Sequence, residues 1–234
     1  MRQADDESWR LTVGDTSELL HTALYVRDSC RLEVPDDPSV PPPLDGEVSD
    51  RSTLLEPGAR RGAGVQWLAW WPQILVFEAA EGLGTLEVHE GRFGRSDATV
   101  IVHEQLFDWP ELVALASWPE LCRAARASRD DAVRWCGERI RRLAARDPRS
   151  RGLSHLPIAT IVQGVVQRAG VSPGRVRAAV SVLGVRGNWS ARPLPGLLLC
   201  SASLAADAQK LAPLVESAFA SGVDAQAVPL PAEQ

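Results

Sequence analysis

Lysine is nearly missing from this 234-residue chain: of 25 basic residues only Lys210 is a lysine, and the others are arginines. Methionine occurs only at Met1. With abundant Ala, Arg, Gly and Pro, this composition is that of a high-GC bacterial genome, which speaks to origin and not to activity. Cysteine is scarce. Cys30, Cys122, Cys136 and Cys200 are far apart and form no CxxC pair, which excludes a disulfide scaffold and a zinc knuckle. Reduced thiols with apolar burial are expected. Long apolar runs are absent too. The richest stretch, 65–80, is interrupted by Pro72 and Gln73 and is too short to span a bilayer. The first seven residues are polar and acidic, unlike a signal peptide, so the expectation is a cytoplasmic protein with no membrane partner.

Catalytic signatures are missing as well. There is no GxSxG, no GxxxxGK[ST], no GxGxxG after a strand and no HExxH. What remains is ordinary globular material, 45% hydrophobic and 24% charged, which excludes wholesale disorder and collagen-like repeats.

Charge is present but unevenly spread. The net charge is −5. Residues 1–90 carry 7 basic against 17 acidic side chains, whereas 123–192 carry 15 basic against 4 acidic. Either these segments offset one another within the fold, or the arginines face an acidic partner or nucleic acid.

The pattern predicts an α+β chain in two parts. Residues 1–107 form an acidic mixed region with a β-hairpin. Residues 108–234 form a mainly helical, arginine-rich region with a short βα element. In the first part, Asp15-Thr-Ser-Glu18 reads as a capping box before Leu19, Leu20, Ala23 and Leu24 at helical spacing. Residues 35–58 mix six prolines with acidic side chains and read as an extended surface linker or long loop. Helix resumes after Pro57, and Trp67, Trp70 and Trp71 are expected as a buried anchor rather than a ligand platform. The pairs Gly62/Gly64 and Gly82/Gly84 are read as turn or close-packing glycines. Residues 84–104 alternate as a hairpin.

In the second part, Asp108-Trp-Pro-Glu-Leu112 and Ser117-Trp-Pro-Glu-Leu121 are two capped helix starts. A helix over 131–145 is expected to bury Val133, Cys136, Ile140 and Leu143. Its arginines, Arg134, Arg141 and Arg142, are the candidate interaction surface. Another helix covers 158–169, ending at Gly170. A short helix follows over 173–183, then a buried strand over 197–200 and a helix over 205–219.

Of the four histidines, His89 and His103 invite a metal reading. In the predicted hairpin they sit roughly 10 Å apart, at about 3.4 Å per residue, too far to ligate one ion together. No metal and no cofactor are expected. Cys122 and Cys136 have arginines nearby in sequence, but Cys136 falls on the apolar stripe, which points to burial.

The residues Val165-Val-Gln-Arg-Ala-Gly-Val-Ser-Pro-Gly-Arg-Val-Arg-Ala-Ala-Val180 resemble a bacterial helix-turn-helix. The resemblance, over 162–183, implies Gly170 as the left-handed turn residue, Ser172 as cap and Pro173 as the first residue of the second helix. Arg175, Arg177, Ser181 and Arg186 would then be the nucleic-acid- or anion-binding residues. An ordinary αα-corner suits the same residues. A hairpin over 185–200 would complete a winged-helix arrangement. The first functional expectation is a non-enzymatic bacterial protein-interaction or accessory component with a protein partner. The alternative is a DNA-binding regulator, and the third is an enzyme of unrecognised type.

Overall fold

In the computed structural model of the chain, residues 8–84, 112–145 and 152–223 are described. In chain order, the elements begin with β1 (Arg10–Gly14), α1 (Glu18–Ser29), α2 (Pro57–Leu83) and α3 (Pro119–Ala144). They continue with α4 (Ile158–Ala169), β2 (Arg177–Leu183), β3 (Ser190–Leu194) and β4 (Leu197–Ser201). A single turn, α5 (Ala202–Ala205), and α6 (Ala208–Ser221) follow. The chain is mixed α+β, as expected. The hairpin predicted over 84–104, with His89 and His103, falls outside the described residues beyond Gly84, as does the first capped start at Asp108.

One four-stranded sheet runs in the order β1-β2-β4-β3. β1, β2 and β4 are parallel, and β3 turns back antiparallel to β4 as the edge, which is where Pro193 is tolerated. β1 comes from the acidic first part and β2 from the arginine-rich second part, so both parts share this sheet. Helices cover both faces. Ala179, Leu183, Leu197 and Leu199 point into a core built with α1, α2 and α3. Ala178, Val180, Val182, Leu198 and Cys200 alternate onto the other face, against α4 and α6.

The helix expected over 173–183 is instead a one-turn 3-10 segment, Pro173–Arg175, leading into β2. Gly170 is left-handed, with φ +66°, and does end α4. Beyond it, Val176, Val180 and Val182 are β-branched and buried; Val180 has parallel partners on both sides, Val13 and Leu198, and Val182 pairs with Cys200 of β4. The helix-turn-helix reading of 162–183 therefore loses its second helix. The β3–β4 hairpin forms, but behind a strand.

Other local expectations shift by identifiable causes. α1 is capped by Ser17 and not Asp15, its hydroxyl accepting from the Leu20 N–H at 3.3 Å. α2 runs straight through Pro72, because burial of Trp67, Trp70, Trp71 and Ile74 outweighs one lost backbone bond. Trp67 and Trp71 stack with centroids 5.0 Å apart, and the Trp67 indole donates to the Ala23 carbonyl at 2.8 Å. α2 lies hard on the sheet at Gly82, where any Cβ would sit 2.5 Å from that of Ala179. α3 is one helix from Pro119, not two. Its first turn is capped from α2: Gln66 accepts from the Leu121 N–H at 3.0 Å and donates to Glu120 at 2.7 Å.

The buried face of α3 also differs from expectation. Leu121, Ala124, Ala125, Ser128, Ala132, Trp135, Cys136 and Arg139 face inward, while Val133 and Ile140 are 47% and 42% exposed. Small and polar residues line the buried side because α1 packs closely there, with Ser128 against Ser29 and Cys30. Of the stripe expected to be buried, Cys136 is buried and Leu143 partly so, whereas Val133 and Ile140 point outward.

Candidate functional site

Among the described residues three places gather polar side chains, and each follows from the fold. The first lies where β1 gives way to α1. In open α/β sheets the crevice at the carboxyl ends of parallel strands is the usual ligand site. Here that end is filled from within. The His21 ring N–H at Nδ1 donates to the Ser17 carbonyl at 2.7 Å, and Nε2 accepts from the Gly184 N–H, just past β2, at 3.1 Å. These two bonds define the neutral tautomer. Burial, and then the Arg139 charge, push the His21 pKa down to about 3. Both nitrogens are committed to backbone, so this imidazole is a strut and not a base.

Next to it, the Ser17 hydroxyl donates to the Glu78 carboxylate of α2. Ser181 of β2 also hydrogen-bonds that carboxylate. Burial, reinforced by the Glu81 charge, raises the Glu78 pKa to about 7. Glu78 thus ties α2 to the cap of α1 and to the middle of the sheet. The thiols offer no nucleophile nearby: burial pushes Cys136 up to about 11 and Cys200 up to about 12. All four cysteines are free, and only Cys122 is half-buried.

The second place is the proline-rich segment, expected as a linker or long loop. It is a loop strapped to the core. Prolines have no N–H but keep a carbonyl, and buried Arg27 uses two of them, donating to Pro41 at 2.5 Å and Pro42 at 2.9 Å. Its guanidinium also pairs with Asp28 at 2.7 Å and lies 5.5 Å from the Trp67 ring centre. Asp28 in turn accepts from the Leu44 N–H at 2.7 Å. Leu44 is buried and bridges to Val185, while Arg186 donates to the Leu44 carbonyl at 3.1 Å. Beside the strap lies a groove of ≈ 590 Å³, rimmed by Arg31 and Arg186 and by Asp36 and Asp37.

The third place is the outer face of α3. Arg123, Arg126, Arg129, Arg134, Arg141 and Arg142 are exposed along it, with Asp130 and Glu138. Arg134 shares Asp131 with Arg51, at 3.1 Å and 2.6 Å, so one carboxylate answers two guanidinium groups. The Arg51 hydrogen bond is the main reason the Asp131 carboxyl sits below its ordinary range. Arg141 donates to the Gly137 carbonyl at 3.3 Å. Among the described residues no carboxylate pairs with Arg141 or Arg142.

The sequence-predicted residues therefore divide. Arg134, Arg141 and Arg142 do share one exposed helix. Arg175, Arg177, Ser181 and Arg186 are not brought together. Arg175 lies exposed on the 3-10 turn, and Arg177 at the start of β2 donates to the Leu83 carbonyl at 3.2 Å. Ser181 is buried mid-strand beside Glu78, and Arg186 lies past the opposite end of the sheet on the strap. Sequence reading missed His21, Glu78 and Arg27. Only Arg27-Asp28 shortly before a run of prolines gave any signal. Among the described residues no cluster of three or more metal-ligating side chains occurs, and no helix is long and apolar enough to cross a membrane.

No protein-family model, no curated protein and no solved structure matches this chain.

Proposed function

We propose that this chain is a non-enzymatic protein-interaction component of a bacterial system, and that it meets its partner on the outer face of α3. The observation that carries this reading is the pairing of exposed apolar and basic side chains on one face. Among the described residues Val133 and Ile140 are two of the most exposed large hydrophobic side chains, and they stand beside Arg134 and Arg141. Exposed apolar residues rimmed by arginine mark protein interfaces. Support also comes from the polar junction at the sheet end, whose histidine is wholly spent on holding backbone.

Nucleic acid is the competing occupant of an arginine-rich helix. Asp130 and Glu138 on the exposed side would repel phosphates, and Val133 and Ile140 contribute nothing to a phosphate contact. These favour protein. The full-length chain, tagged and expressed at native level in the organism that encodes it, tests the reading. A stoichiometric protein partner is expected from the wild type. It is lost from the double variant Arg134→Glu, Arg141→Glu, whose circular dichroism stays unchanged. Co-purified nucleic acid, seen as a raised 260/280 nm ratio and abolished by the same variant, overturns it in favour of the DNA-binding alternative. Retention of the partner by the double variant also overturns it.

A further inference from the structure

Gly137 sits near the middle of the outer face of α3, and a Cβ built there meets nothing within 4 Å. A glycine inside a helix weakens it relative to alanine, and among the described residues this one relieves no crowding. Its four surface neighbours at helical spacing are unlike on the two sides. Val133 and Ile140, four before and three after, make one wall. Arg134 and Arg141, three before and four after, make the other. Both apolar residues are exposed, at 47% and 42%, and the Arg134 side chain is 65% exposed. Four residues around a position without a side chain form the kind of hole into which a facing helix places a knob. The missing side chain also lets a partner backbone come closer than any other residue would allow.

We infer that Gly137 is a docking notch for a helix of an acidic partner protein. The partner inserts one apolar side chain between Val133 and Ile140 and presents carboxylates, a turn to either side, to Arg134 and Arg141. Charge complementarity commits the occupant. Among the described residues Arg134 has a shared carboxylate and Arg141 a carbonyl as partner, so both gain from an incoming carboxylate. A second copy docking by this same face would bring the same arginines against themselves. The inference rests on the interaction reading of α3 and specifies its partner.

The test uses full-length protein and two synthetic probes. One is a helical peptide carrying a leucine with glutamates three and four residues to either side on one face. The other has the same composition with those residues scattered round the helix. Fluorescence anisotropy at low salt should show the first peptide binding at least tenfold more tightly than the second. Gly137→Leu closes the notch and should weaken the first peptide about tenfold, while raising the melting temperature because a helix-breaking residue is removed. A loss of binding together with a gain in stability cannot come from misfolding. Equal binding of both peptides, or full binding by Gly137→Leu, overturns the notch. The native complex separates the two levels. If Arg134→Glu, Arg141→Glu releases the native partner but Gly137→Leu does not, the face is an interface and the helical occupant is wrong. If neither does, the interaction reading of α3 fails with it.

Discussion

Replacing Glu78 by glutamine should make the protein more stable in alkali and leave it almost unchanged in acid. The carboxyl lies between α2, the Ser17 cap of α1 and Ser181 of β2, and its pKa rises from 4.5 to about 7. A raised folded-state value means the folded chain prefers the protonated form. The stabilising contribution is thus fully present below pH 4.5 and is lost as pH rises through about 7. The full shift corresponds to about 3 kcal/mol at 1.36 kcal/mol per unit. Solvent at the half-buried carboxyl reduces this to about 2 kcal/mol. Glutamine keeps an oxygen for the two serine hydroxyls and carries no charge, so it escapes the penalty at every pH. For a chain of this length the difference corresponds to a melting-point gain of about 4–8 °C at about pH 8.5, vanishing near pH 4.5. Thermal unfolding of wild type and Glu78→Gln across that range measures it. Glu81→Gln should give a smaller gain in the same direction, because Glu81 adds to the shift by its charge. His21 does not confuse the comparison. Its lowered pKa costs stability as pH falls from 6.5 towards about 3, equally in both proteins. A Glu78→Gln gain that is the same at both ends of the range would show that Glu78 is not a buried proton-binding group.

Gly137→Ala should stabilise the fold by about 0.5–1 kcal/mol, read from denaturant midpoints, since nothing obstructs the added methyl. A destabilised variant would mean that the outer face of α3 is covered within the chain. Arg27→Met should cost about 3–5 kcal/mol, because Asp28 and the carbonyls of Pro41 and Pro42 lose their buried cation. It should also open residues 35–58 to limited proteolysis, which the wild type should resist; early cleavage of the wild type there would contradict the strap. Trp67→Ala should cost about 3–5 kcal/mol by chemical unfolding, from lost burial and a broken stack with Trp71. A loss under 1 kcal/mol would remove the tryptophans from the centre of the core.

The sequence by itself determined the local chemistry. Gly170 stops α4 because only glycine takes φ +66° readily, and Pro57 and Pro119 open helices because their missing N–H is not needed there. The run Leu197-Leu-Leu-Cys200 announces a strand buried on both faces, and the tryptophans are too large to leave outside. Tertiary structure alone decided what the residues between those punctuation marks do. Val176–Leu183 suits a short helix or a strand equally well by local preference. It becomes a strand because β1, whose paired residues lie 167 positions earlier in the chain, and β4, which follows it, offer hydrogen bonds on the two sides. The same cause hid the site residues. His21 bonds a backbone N–H 163 residues away, and Glu78 meets Ser17 across 61, and no periodicity records such separations. Apart from Cys136, the inward face of α3 does not follow the apolar pattern, because close helix packing selects small residues such as Ala124, Ser128 and Ala132. Hydrophobicity then points outward, to Val133 and Ile140, and its exposure there is a property that only the packed molecule can reveal.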